Sequence, residues 1–123
     1  MKTILGVLTG FAGVMGACGV AAAAAAAHMP GGARLSSVAL ILLVHAAAVL
    51  NLATRADDNS QLPRIWLAAG LVLALGAALF SGDVALLTLR GSRLFPMAAP
   101  TGGMTMILGW LIVGGAGLAG LRR

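Results

Sequence analysis

Asp83 is the residue in this chain whose surroundings most demand an explanation. It sits in the apolar stretch Leu79-Phe80-Ser81-Gly82-Asp83-Val84-Ala85-Leu86-Leu87, while the other acids, Asp57 and Asp58, share the most polar segment, Thr54 to Pro63. A carboxylate at the centre of a bilayer costs at least about 2.5–3.5 kcal/mol, so such a group faces a cation, water or an ion pathway. Three arginines are candidates for the cation: Arg34, Arg90 and Arg93. Two chemistries follow. An Asp83–arginine ion pair would fix a helix in place, or a lone carboxylate would couple a proton or ion to transport. His45 lies midway along another apolar run and reads as a neutral imidazole hydrogen-bonded inside the bundle. The alternative is a proton relay, since imidazole titrates near neutrality. His28 closes the first apolar run and reads as an interfacial contact. Thr101 follows Pro100 and precedes Gly102-Gly103, the composition of a capped helix start. The candidate polar residues are therefore His28, His45, Asp83, Arg90, Arg93 and Thr101. His28, Asp83, Thr101 and the nearby arginines are expected to cluster at one membrane face, chiefly to tie helix ends together. Two histidines and one carboxylate without ligand spacing do not make a metal site, and neither metal nor cofactor is expected.

The elements that position these residues follow from composition. Of 123 residues, 60% are hydrophobic and 9% charged. A soluble domain carries roughly 25% charged residues, so the solvent for this chain is lipid. Breaks at His28-Met29-Pro30-Gly31-Gly32, at Thr54 to Pro63 and at Gly91 to Pro100 separate apolar runs near 3–27, 35–53, 64–89 and 101–121. Each run is long enough to cross about 30 Å of hydrocarbon as a helix. Lipid cannot satisfy an open strand's backbone, so the spans are helical. Pro63 suits the first turn of the third helix. In a helix that stops near 89, Asp83 lies about 9 Å from the end, within reach of an arginine or water. The expected fold is all-α, an integral membrane four-helix antiparallel bundle in a single domain, 1–123, embedded in the bilayer.

The lysine and arginine distribution sets Lys2, Arg55, Arg64, Arg122 and Arg123 against Arg34, Arg90 and Arg93. The difference favours both termini inside. Lys2 followed by an apolar run and Ala21 to Ala27 also resembles a signal peptide. However, the run exceeds the ~7–15 residues of a signal h-region and favours a retained helix. Cys18 is the sole cysteine and is expected to pack as a small hydrophobe. Met15-Gly16-Ala17-Cys18 loosely matches a lipoprotein cleavage site, which gives a lipid-modified or secreted product as a third reading. Gly6 and Gly10 form a GxxxG pair, and Gly70, Ala74, Ala78 and Gly82 make a four-residue row. With Gly102 and Gly103, these are the expected helix-packing residues, either within the bundle or against another subunit.

The formal charge of +5 comes from cations scattered at the edges of apolar runs. That is not the basic face with stacking aromatics of a nucleic-acid binder, so no nucleic-acid partner is expected. No nucleophile elbow, P-loop, HExxH or paired-carboxylate motif is present, and an enzyme is not expected. The leading expectation is a structural or accessory membrane protein that packs against itself or a larger complex. The competing one is a small proton- or ion-coupled transporter or channel using Asp83 and His45. Small multidrug exporters of this size place an acid in the middle of the first helix, which here has none.

Leu79-Phe80-Ser81-Gly82, Pro100-Thr101-Gly102-Gly103 and Gly109-Trp110 together resemble the "LFSG … TPxGG … GW" pattern of the YgdD-like family. This is the family of domain of unknown function 423, which includes transmembrane protein 256. His28 matches the histidine ending the family's "GAxGAH" stretch, and His45 matches a second histidine in the next span. Alanines replace the glycines before His28. Ala99 replaces the usual threonine before the proline, Ala85 stands where tyrosine is common, and Asp83 stands where a small polar residue is common. The segment between the two histidines is also shorter. The resemblance implies a four-helix inner-membrane protein and brings no assigned activity.

Overall fold

The computed structural model describes residues 1–57 and 60–122. Asp58 of the polar segment and Arg123 of the charge distribution above lie outside the described residues. Helix α1 runs Lys2–His28, α2 Leu35–Asp57, α3 Pro63–Arg90 and α4 Ala98–Gly120, with a 3-10 turn at Gly32–Arg34 leading into α2. All four helices are long and apolar enough to cross a membrane.

Local chemistry sets the helix ends. Pro63 stands in the first turn of α3, where a missing N–H removes nothing the helix needs. Gly91 ends α3 in the left-handed conformation (φ 72°), and its N–H returns to the Leu87 carbonyl at 3.0 Å. Without a Cβ, glycine adopts this turn at no steric penalty. Two boundaries differ from the sequence reading. Helix α2 continues about a turn past 53, because Thr54, Arg55 and Ala56 carry nothing that stops a helix. Helix α4 begins at Ala98 rather than 101, so Thr101 lies within its first turn and does not cap it. Pro100 is tolerated there because first-turn N–H groups have no intrahelical partner. The residue preceding α4, Met97, takes a left-handed φ of 69° without being glycine. That conformation carries strain in a non-glycine residue and is held by the loop around it.

Each helix packs on its neighbour in the sequence, and the short connections make successive helices antiparallel. The core runs through Leu8, Ala12 and Met15 of α1, Leu42, Ala46, Val49 and Leu52 of α2, and Ala69, Leu73 and Ala77 of α3. Leu73 and Val49 are wholly buried at its centre. Helix α4 docks on α3 alone at the backbone level, and α1 touches α3 only lightly. The bundle is therefore open, with α1 and α4 at its edges. Their outward faces carry exposed Val7, Val14 and Val20 on α1 and Met104, Ile107 and Leu111 on α4. Contiguous apolar faces of this extent belong against lipid or another membrane helix.

The seam between α3 and α4 is a close backbone approach. A Cβ on Gly102 would stand 2.6 Å from the Phe80 nitrogen and 2.8 Å from the Gly76 carbonyl oxygen. A Cβ on Gly76 would stand 2.9 Å from the Gly102 oxygen in return. The two helices thus press backbone to backbone, the contact that small residues allow in lipid. Further along the seam, Gly109 accommodates the Leu73 side chain.

The other glycines of the sequence reading have different placements. Gly70 is buried against Leu8 and Leu52, and Ala74 is buried beside it. Ala78 and Gly82 are half-buried. Gly6 and Gly10 are exposed on α1 with no atom near a would-be Cβ, and Gly103 likewise has open space around it. Cys18, expected to pack inside, is exposed. It lies one helical turn after Met15, at the edge of the packed stripe, and lines a groove between α1 and α3.

Candidate functional site

Two polar ties hold the apolar bundle: one fastens α3 to the loop that follows it, and the other joins residues 65 positions apart. The first is built on Asp83, two turns before the end of α3 and fully buried. Gly91 reverses the chain, and the segment after it folds back along α3. The Arg93 guanidinium then donates to Asp83 Oδ2 at 3.0 Å, and the Leu94 backbone N–H donates to Oδ1 at 2.9 Å. Both carboxylate oxygens are engaged, one by a charge and one by the backbone. Arg93 is 49% exposed, so its outer face meets water or lipid headgroups while its inner edge neutralises the acid.

The second tie joins α2 to α4. His45 is buried midway along α2, with Nδ1 at 2.8 Å from the Ile41 carbonyl and Nε2 at 3.1 Å from Trp110 Nε1. Indole nitrogen only donates, so Nε2 must accept and Nδ1 must carry the proton given to Ile41. The pair therefore specifies one neutral tautomer. The rings meet edge-on, with centroids 5.9 Å apart and planes at 68°. Since α2 and α4 do not pack directly, this side-chain pair reaches across α3 to link them.

The expected six-residue constellation thus resolves into separate parts. Asp83 and Arg93 come together, and His45 pairs with Trp110 instead. His28 is the exposed last residue of α1, and Arg90 is the exposed last residue of α3. Thr101 is exposed, and its backbone carbonyl accepts from the Thr105 hydroxyl at 2.8 Å. Among the described residues, the side chains of His28, Arg90 and Thr101 make no hydrogen bond with Asp83. Nor do three or more histidine, cysteine or acidic side chains gather in a metal-holding group among those residues.

Sequence reasoning missed the Leu94 N–H and the role of Trp110. The signal for Trp110 was present: a buried neutral histidine in lipid requires a donor or acceptor, and indole N–H is one of few groups able to supply it there. At the opposite end of the bundle, Arg55 lies over the Trp66 ring at 5.2 Å and donates to Asn51 Oδ1 at 3.3 Å. That cation–π contact anchors the α2–α3 corner at the interface.

Residues 12–103 match the family described as "Protein of unknown function (DUF423)". The chain is also similar to the UPF0382 inner membrane protein YgdD of Escherichia coli (strain K12), at 33% identity over 69 residues. The same identity and span relate it to the proteins of that name from Escherichia coli O157:H7 and Shigella flexneri. The aligned part covers 56% of this chain, and the chain spans about half the length of these curated relatives, 51%. No solved structure matches it. The match runs from the core face of α1 through the Asp83 region to the second turn of α4, and with four membrane-length helices beneath it the chain belongs to the DUF423 family of multi-pass inner membrane proteins.

Proposed function

We propose that the chain is a non-enzymatic structural or accessory membrane protein, a single four-helix domain that packs against itself or a larger membrane complex with both termini inside. The observation that carries this reading is the closure of Asp83 and His45. Asp83 is fully buried with both oxygens engaged, and both His45 ring nitrogens have partners. A coupling carboxylate has to exchange its proton or ion with water during each cycle. A carboxylate held by a backbone N–H and an arginine suits a fixed tie instead. The outward apolar faces of α1 and α4, with exposed Gly6 and Gly10 on α1, offer surfaces for a neighbouring helix.

Native mass spectrometry of the protein extracted gently from its own membrane tests the proposal. Recovery with other subunits or as a defined homo-oligomer is the expected result. A partner-free monomer that catalyses proton or cation flux in proteoliposomes, with flux abolished by Asp83→Asn, would replace it with the transport reading.

A further inference from the structure

We propose that the face between α1 and α3 holds one anionic glycerophospholipid, with an acyl chain in the groove there and its phosphate at a cationic rim. The helices meet at Leu8 and Gly70 but separate towards the C-terminal end of α1. There a groove of about 500 Å³ opens between them, with Leu42 of α2 among the residues at its floor. Its origin is visible in the sequence. Ala22 and Ala25 on α1 face Ala78, Ser81, Gly82 and Ala85 on α3, and side chains this small do not fill the space between diverging helices. The volume lies within the roughly 300–1,000 Å³ range of ligand sites. The walls are almost wholly apolar, which suits a hydrocarbon chain.

Two further observations point to a whole phospholipid rather than hydrocarbon alone. The first is Ser81, 4% exposed and lining the groove, whose hydroxyl has no hydrogen-bond partner among the described residues. An unmet hydroxyl in an apolar wall is costly, and an ester carbonyl at that level accepts from it. Polar groups reach this depth on the same part of α3, as Asp83 and half-exposed Arg93 demonstrate. The second is charge. The groove runs to Met29, Leu35 and Leu89 at the helix ends. Each adjoins in sequence an exposed cationic or titratable residue: His28, Arg34 and Arg90. Arg34 and Arg90 have no acidic partner among the described residues, so their charge is free to meet a phosphate.

The test uses the purified full-length chain, delipidated in detergent and titrated separately with dioleoyl phosphatidylglycerol and dioleoyl phosphatidylcholine under native mass spectrometry. One retained phosphatidylglycerol per chain, at least tenfold tighter than phosphatidylcholine, is expected. Arg34→Gln with Arg90→Gln should weaken phosphatidylglycerol about thirtyfold and leave phosphatidylcholine unchanged. Ala78→Phe, which fills the groove, should remove the retained lipid, with circular dichroism confirming unchanged helicity. Ser81→Ala should weaken both lipids. Equal retention of the two lipids, insensitive to the double arginine variant, would reduce the site to unselective boundary lipid and overturn the proposal. So would undiminished phosphatidylglycerol binding by folded Ala78→Phe, or a dimer that excludes lipid because a second copy covers the groove. Should Ala78→Phe not fold, the surface arginine variants alone decide between these outcomes.

Discussion

Gly76 and Ala78 are two positions apart on α3, close to opposite sides of the helix at 100° per residue. On the Gly76 side, α4 presses in until a Cβ would stand 2.8 Å from the Met106 nitrogen. On the Ala78 side, α1 stands away and leaves a groove of about 500 Å³. Both faces are built from small residues, yet one closes and the other does not. Small residues permit close approach but do not enforce it. The α4 side is drawn in by further ties: the Asp83 clamp on the loop before α4, and Trp110 reaching over to His45. The α1 side has its contact at Leu8 and Gly70 and, among the described residues, no polar bond between α1 and α3. In lipid, where apolar surface gains little by finding other apolar surface, van der Waals fit and polar ties decide which faces close.

The largest expected effect comes from forcing the closed face open. Gly76→Phe places a ring where the α4 backbone now lies, beyond the accommodation usual for overpacked sites, which cost about 1–3 kcal/mol. A loss above about 3 kcal/mol is expected, read as unfolding by denaturant in detergent micelles. Retention of wild-type stability would show that the α3–α4 seam is not a constraint.

Next comes the clamp, whose two partners are unequal. Arg93→Gln leaves a fully buried carboxylate facing one N–H donor. Breaking a buried pair in this way costs about 3–5 kcal/mol, and the half-exposure of Arg93 lowers the expectation to about 2–3. Asp83→Asn leaves an arginine that can turn to solvent and an amide oxygen that still accepts from Leu94, so about 1 kcal/mol is expected. The ordering is the sharper claim: equal losses from the two variants would mean that the charge of Asp83 is not held by Arg93.

These ties also mark what the sequence could convey. The four helices were legible because runs of apolar residues are long and their interruptions carry Pro and Gly. That Asp83 would find an arginine was legible as well, since lipid leaves a carboxylate few alternatives. Which arginine was not legible. Arg90 is nearer in sequence but ends α3 exposed, whereas Arg93 returns only because Gly91 turns the chain. Thr101 misled for a related reason: helix caps depend on where the chain enters, and Met97 takes the strained conformation that starts α4 early. The row at Gly70, Ala74, Ala78 and Gly82 was found by its spacing, while Gly76, off that row, makes the closest approach of the α3 glycines. Spacing along one helix identifies a face, but the register of a second helix selects the residue. For the same reason the His45–Trp110 pair, spanning α2 to α4, could not be read along the chain.

That pair is expected to contribute less than the clamp. Trp110→Phe keeps an aromatic ring edge and removes the N–H given to His45. Interhelical hydrogen bonds in membranes average about 0.6 kcal/mol and reach about 1.7. A loss near 1 kcal/mol is expected, with α3–α4 docking intact. The nuclear magnetic resonance shift of the His45 Nε2 provides a second reading, because it reports directly on the loss of its donor. An unaltered shift would separate the two rings in solution.

The smallest effect is the one that completes the contrast. Ala78→Phe makes the same ring addition as Gly76→Phe, on the side of α3 where α1 stands off. The added ring enters the groove beside Ala22 and Ala85 and displaces hydrocarbon rather than backbone. Its transfer is from lipid or detergent to an apolar protein face, a nearly neutral exchange. Stability within about 0.5 kcal/mol of wild type is expected, as for a surface substitution. A loss comparable to that of Gly76→Phe would mean that α1 and α3 close on one another in the membrane. The groove would then be part of the packed core, and the difference between the two faces of α3 would disappear.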